Sequence, residues 1–303
     1  MRRFVWRWML VAALTAAALG AQNADHQPGA KTPLTAQDVA DRIKAHVGIP
    51  WLKQTRDTFK AGDPRTAVTG IAVTMMATQA VLQRAVANGQ NLIITHEPTF
   101  FDDPDKAETV ALGEDDAVLA AKRAFIAKNH LVIWRFHDHW HRMSPDGIEL
   151  GNARALGWEK FEDPHNQYLF TLPETTVGRL AEEVKTKFGI ASLRVVGDRD
   201  MKVTRVALSP GFAGAKREIA ALEMPDVQVL LAGETREWET VEYVADAVTQ
   251  GKHKALIVLS HVPSEQQGMS ECARWLRTFV PEVPIQFVPA PDPFAEGSLL
   301  LKP

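Results

Sequence analysis

Three short segments of this chain set imidazole and carboxylate groups directly after apolar runs. The first is Ile93-Ile94-Thr95-His96-Glu97-Pro98. The second is Ile133-Trp134-Arg135-Phe136-His137-Asp138-His139-Trp140-His141. The third is Ile257-Val258-Leu259-Ser260-His261, with Glu265 four residues on. Five of the ten histidines fall in these stretches. Imidazole and carboxylate are the usual protein ligands of zinc, iron and manganese. A spacing of four, as in His137/His141 and His261/Glu265, brings two side chains to one side of a turn or a helix start. The adjacent pair His96-Glu97 is expected to point in two directions, one residue for each of two metals or one bridging them. A lone histidine after a strand is ordinarily a hydrogen-bonded loop residue. Here the concentration of such groups at three strand ends carries the reading of a metal site.

The elements that must position these groups follow from periodicity. Thr35 with Asp38 marks a helix start, Val39, Ile43 and Val47 repeat along one face, and Gly48 stops it. A strand is expected over 70–74, a helix capped by Thr78 and stopped by Gly89, and a strand over 92–95. This strand–helix–strand unit implies a parallel pair with a right-handed crossover. A helix over 115–128 and a strand over 131–136 follow. The second part repeats the alternation, with strands at 168–172, 193–196, 203–208, 227–231 and 255–259, and helices near 177–188, 215–222, 237–249 and 265–279. Strands alternating with helices throughout define the α/β class, and in open α/β sheets functional groups gather past the C-terminal strand ends. A soft boundary lies at 162–166 (EDPHN). It gives a first α/β half over 35–165, with the HEP and HDHWH segments, and a second over 166–303, with SHVPSE.

The N-terminus has the pattern of an export signal over 1–24: Arg2, Arg3 and Arg7, then the apolar Ala-rich run 9–19, then small residues at Ala18, Gly20 and Ala21, with processing near there or at Ala24. The run is short for a permanent anchor. A polar Pro/Gly-containing linker follows over 25–34. The expected location is periplasmic or secreted, with no membrane association after processing. Removing a leader with three arginines and no acid moves the net charge from −3 to −6, which argues against nucleic acid as a partner. Cys272 is the only cysteine, so no intrachain disulfide forms, and its place in an apolar helical pattern predicts a buried, inert thiol.

On these residues the chain resembles the Nif-three-like family, also known as type 2 GTP cyclohydrolase I homologues or dinuclear metal centre hexameric proteins. The likeness spans about residues 36–303. NLIITHEPTFF (91–101) is similar to the family's "dlIItHHPlif", and HDHWHRMSPDGIELGN (137–152) to its "HTnlD…GvN". SPG (209–211), LAGE (231–234) and SHVPSE (260–265) look like its "gSG", "iTGe" and "GH…E", in the same order. The resemblance implies two similar α/β halves packed around a shared dinuclear metal cleft, two divalent metal ions (zinc, iron or manganese) and a toroidal homohexamer. It places the metal ligands at His96, Glu97, His137, His141, His261 and Glu265. Two of the six depart from the family's types: Glu97 stands for a histidine and His141 for an aspartate. The exchanges compensate, leaving four histidines and two carboxylates, so the site is expected to be retained but rearranged. The alternative is partial loss, with one metal or none, because affinity follows ligand type. His139 and Asp138 are candidates for substitute ligands or for partners standing behind the ligands.

Paired metals imply hydrolysis of a small-molecule substrate. The family label suggests ring opening of a purine nucleotide, with amide and phosphoester bonds as other options. Glu97 is read as a ligand in preference to a general base. Export speaks against GTP, which is scarce outside the cytoplasm. No Gly-rich phosphate loop is present, and Ser209-Pro210-Gly211-Phe212 is a plain turn more readily than an anion site. A second class of function is an exported metal-handling or scaffold protein without turnover, which closed coordination would favour. A third is a binding module using Trp134, Trp140 and Trp158, although aromatic residues are more often core.

Overall fold

The apolar runs that end in histidine are strands buried on both faces, as continuous hydrophobic runs require in parallel sheets. A computed structural model describes residues 33–101, 116–292 and 294. The leader expected over 1–24 and most of the linker over 25–34 lie outside the described residues. The first sheet contains β1 (Phe59–Ala61), β2 (Ile71–Thr74), β3 (Leu92–Thr95), β4 (Val132–Arg135) and, from the far end of the chain, β11 (Ile285–Phe287). Its order is β1-β4-β3-β2-β11, parallel except for β1. Thr74, Thr95 and Arg135 are level across β2, β3 and β4, so His96 and His137 leave the sheet at the same edge.

The second sheet contains β5 (Glu162–Asp163), β6 (Asn166–Thr176), β7 (Arg194–Val196), β8 (Lys202–Ser209), β9 (Val229–Ala232) and β10 (Ala255–Val258), in the order β5-β6-β8-β9-β10-β7. Its centre β8-β9-β10 is parallel, and the other pairings are antiparallel. Ser209, Ala232 and Val258 are level, so the turns starting at Pro210, Gly233 and Leu259 emerge together. The molecule thus has two α/β halves, as expected.

Nine α-helices are described: α1 (Ala36–His46), α2 (Gln79–Ala87), α3 (Ala117–Lys128), α4 (Asp138–Arg142), α5 (Gly147–Leu156), α6 (Val177–Phe188), α7 (Ala215–Glu223), α8 (Glu242–Thr249) and α9 (His261–Leu276). Thr35 and Asp38 form the expected capping box on α1, and Thr78 caps α2. Trp134, Trp140 and Trp158 are core residues and line no part of the cavity described below, so these three tryptophans offer no binding surface.

The division expected at 165/166 falls close to the passage into the second sheet, but the chain crosses back. α9 departs from β10 and buries Met269, Cys272, Ala273 and Leu276 in the core of the first sheet, where β11 then joins. α9 also begins at His261, four residues before the expected start. The return is held by the crossing of α5 and α9. A Cβ on Gly151 would stand 2.5 Å from the Gly268 Cα, and one on Gly268 would stand 2.4 Å from the Ile148 Cα. α5 in turn places Ile148 in the first core and Ala153 and Leu156 in a core of the second sheet. This helix pair therefore ties the two halves together around the strand ends.

Candidate metal centre

The three histidine-bearing strand ends converge. His96 and Glu97 continue the ladder of β3 by one step each, their amides bonding to the Thr74 and Met75 carbonyls. Arg135, the last residue of β4 and buried, grips this pair: Nε donates to the His96 carbonyl and Nη2 to Glu97 Oε2, both at 2.9 Å. His137 precedes the single turn of α4 and His141 closes it, with the His141 amide bonded to the His137 carbonyl. His261 and Glu265 lie one turn apart at the start of α9, His261 Nε2 standing 3.2 Å from Glu265 Oε2. Ser260, just before, has φ +74°, a region glycine normally occupies. Gly211 has φ +64°, and a Cβ there would meet Glu265 Oε1 at 2.2 Å, so only glycine fits beside that carboxylate.

All six expected ligands face one small volume. His96 Nε2 stands 3.1 Å from His141 Nε2 and 3.8 Å from Glu265 Oε2. Glu97 Oε1 stands 3.3 Å from His261 Nε2 and 3.8 Å from His137 Nε2. His141 Nε2 is 3.8 Å from Glu265 Oε1. Among the described residues, two groups have ligand atoms within 4.8 Å of one another, His96/His137/His141 and His96/Glu97/Glu265. His96 and Glu97 therefore reach a common centre, where divergent directions were expected. The single Nε2 lone pair of His96 can serve only one ion, so it belongs to one group at a time.

Each imidazole has its other nitrogen committed. Nδ1 of His96 donates to the Phe136 carbonyl (3.1 Å), that of His137 to Asp138 (2.9 Å), that of His141 to Asp146 (2.9 Å) and that of His261 to Glu234 (3.0 Å). Such partners fix the tautomer and aim Nε2 as a ligand. They leave His96 and His141 with Nε2 lone pairs pointed at each other, an arrangement that calls for a cation between them. Nε2 of His261 and Oε2 of Glu265 are buried with no hydrogen-bond partner, and buried polar atoms in folded proteins are rarely left so. Imidazoles of fixed tautomer, facing carboxylates and orphaned atoms together fit a bound metal ion.

The electrostatics agree. Burial, followed by the neighbouring imidazoles His137 and His141, holds His96 well below the usual histidine range. Burial would lower His261 too, but the Glu234 bond to Nδ1 and the facing carboxylates of Glu265 and Glu97 outweigh this and push it up to about 12. For His141 burial is outweighed by Asp146 and by the charges of Glu265 and Glu97, and its pKa rises. Burial pushes Glu97 up, but the close approach of the His261 imidazole and the charges of His96, His261 and His137 leave it below the ordinary carboxylate range. The cluster thus attracts positive charge.

His139 has both ring nitrogens engaged by protein groups and stands apart from the cluster. Its Nδ1 bonds to Asp57 (2.6 Å), its Nε2 accepts from the Leu52 amide (3.0 Å), and its ring stacks on Trp51 with centroids 3.6 Å apart. Asp138 serves as the partner behind His137 and is itself held by Thr55 and the Arg56 amide. The residues that orient the ligands were largely missed by the sequence reading. Asp57 accepts the amides of His137, Asp138 and His139. Asp146 also accepts from Tyr168 and caps α5. Arg135 was seen only as a strand residue. Glu234 and Asp146 lie within the quoted LAGE and HDHWHRMSPDGIELGN segments, so the family likeness held a signal for those two.

The cluster opens on a cavity of about 1310 Å³, lined by Glu97, His137, His141, His261, Glu265 and residues of both halves. Fold and cleft together define an α/β protein whose converging strand ends assemble a His/Glu group able to hold a metal ion. The chain belongs to the family Duf34/NIF3 (NGG1p interacting factor 3), matched over residues 59–293, which include all six candidate ligands. A GTP cyclohydrolase 1 type 2 homolog of Clostridium perfringens is 23% identical over 218 residues, covering 67% of this chain and 76% of its own length. A protein of the same name from Clostridium acetobutylicum is 28% identical over 194 residues, covering 59% and 68%. The solved structure of a Bacillus cereus protein related to NIF3 has a TM-score of 0.66 at 14% identity, covering 86% of this chain and 99% of that one. At that identity the likeness is one of fold.

Proposed function

We propose that the chain is a metal-dependent hydrolase whose cleft holds two divalent ions (zinc, iron or manganese) on His96, Glu97, His137, His141, His261 and Glu265. The observation that carries this reading is the convergence of four Nε2 atoms and two carboxylates whose outward nitrogens are all committed elsewhere. The chemistry such a pair of ions supplies when bound is activation of water and polarisation of the group it attacks. The chain's own residues hold the frame. Arg135 fixes Glu97 as a carboxylate, Asp146 and Glu234 hold His141 and His261 by Nδ1, and Tyr168 steadies Asp146 from the cavity wall. The size of the cavity beside the cluster supports a small-molecule substrate. The names of the Clostridium relatives point to purine-nucleotide ring opening. A cleaved leader, a periplasmic location and a homohexamer belong to the same proposal. Among the described residues no helix is long and apolar enough to cross a membrane.

A second reading is an exported metal-handling or scaffold protein without turnover. It is favoured by the number of converging ligands, six for one small volume, which could close the coordination. Turnover of metal-loaded, full-length protein on GTP, phosphoesters and amides separates the two. Hydrolysis that disappears on chelation and in His261→Ala supports the enzyme. Bound metal without turnover on any of these classes supports the alternative.

A further inference from the structure

One face of α3 lines the cavity, formed by Ala117, Val118, Ala121, Lys122 and Phe125. Lys122 is its only charged member and is 5% exposed. Its ammonium donates to the Thr99 carbonyl and stands 4.8 Å from the centroid of the Phe101 ring. No carboxylate partners it among the described residues. The other cations on the wall differ. Arg56 pairs with Asp138 and Arg135 with Glu97, while Arg217 is exposed and lies over the Tyr168 ring. A buried ammonium with one of three donors used is costly, and burial holds Lys122 down to about 8. Such a group in a cavity wall has the character of a binding residue.

Thr99 follows Glu97 by two residues, so their Cα atoms are at most roughly 7 Å apart. The ammonium is therefore tethered to the loop that carries a candidate metal ligand. We propose that Lys122 is the anion-binding residue of a substrate subsite, and that the cavity takes a small amphipathic anion. An apolar or aromatic body would lie against the α3 face, its carboxylate or phosphate would sit on Lys122 Nζ, and its reacting bond would reach the His/Glu cluster. This rests on the hydrolase reading for the reacting bond, but not for the binding.

Calorimetry on the full-length protein tests it with three probes of one shape: 2-naphthoate, 2-naphthyl phosphate and neutral 2-naphthol. Zinc-loaded and chelated protein are titrated in parallel, and the zinc content of each sample is measured. At least one anion is expected to bind about tenfold more tightly than naphthol, which corresponds to roughly 1.4 kcal/mol. Lys122→Met is expected to abolish that preference while leaving naphthol binding and zinc content unchanged, with Lys122→Gln as the second variant. Whichever anion gains more identifies the head group. Anions that bind wild type no better than naphthol, or a preference that survives in a folded Lys122 variant, would overturn the proposal. Chelated wild type is expected to keep the preference, and a preference lost with the zinc would overturn the proposal. Wild type that takes up no zinc yet prefers the anion would count against the metal reading alone.

Discussion

His139 and His141 sit two residues apart in the same turn of helix, yet they belong to different networks. The His139 network is closed: both ring nitrogens and both Asp57 oxygens have protein partners, and Trp51 covers the ring. The His141 network is closed only on its Nδ1 side, at Asp146. Its Nε2 faces His96 Nε2 at 3.1 Å and Glu265 Oε1 at 3.8 Å. What separates a structural histidine from a candidate ligand here is neither residue type nor spacing. It is whether a protein donor reaches the second nitrogen. The closed network holds the open one in place, because Asp57 binds the backbone amides that set α4.

The comparison is broken most severely at Asp57. Asp57→Ala leaves three backbone amides and His139 without their acceptor, and is expected to cost about 3–5 kcal/mol, read as a lowered urea midpoint. A loss under about 1 kcal/mol would mean that the closed network is not structural.

Exchanging the two histidines sharpens it. His139→Ala should cost about 2–3 kcal/mol by opening a cavity and orphaning Asp57, while the folded fraction still takes up metal. His141→Ala should cost under about 1 kcal/mol yet lower metal affinity at least tenfold. Urea unfolding and equilibrium dialysis on the same preparations check both. The opposite pattern would reverse the assignment.

Glu149 asks whether an orphaned buried group outside the His/Glu cluster behaves as a ligand or only as a cost. Neither of its oxygens has a hydrogen-bond partner. Burial, with the charges of Asp146 and Glu162, raises its pKa well above the ordinary 4.5. The unfolded chain therefore gives up this proton near pH 4.5 while the fold keeps it, so Glu149 lowers stability progressively as pH rises above that value. Glu149→Gln should stabilise by about 1–2 kcal/mol at pH 8 and by much less near pH 4, followed by thermal unfolding at both. A gain independent of pH would contradict the protonated state.

The smallest effect is expected at Ser260, whose φ of +74° suits glycine. Ser260→Gly should raise stability by about 1 kcal/mol with metal content unchanged.

Much of this geometry was legible in the chain itself. Runs such as Leu92–Thr95 and Ala255–Val258 announce strands covered on both faces, and the spacing of four in His137/His141 and His261/Glu265 announces shared turns. What was hidden depends on topology or on opposing local signals. Asp57 lies in an irregular segment about eighty residues before the amides it binds, and only the pairing of β1 with β4 brings it there. α5 was not expected as a helix because Gly147 and Gly151 weaken the pattern. Those glycines are required by the approach of Trp140 and of Gly268. The return of α9 to the first sheet was masked by its departure from the second, and the pairing of Arg135 with Glu97 by their separation along the chain.

The most direct test is the metal content of protein purified from its native compartment, by elemental mass spectrometry, beside His96→Ala and His261→Ala. Two equivalents of a divalent transition metal per wild-type chain, falling in both variants while their folds persist, are expected. A wild-type chain that carries no metal and takes none up on dialysis against zinc, iron(II) or manganese would contradict the account.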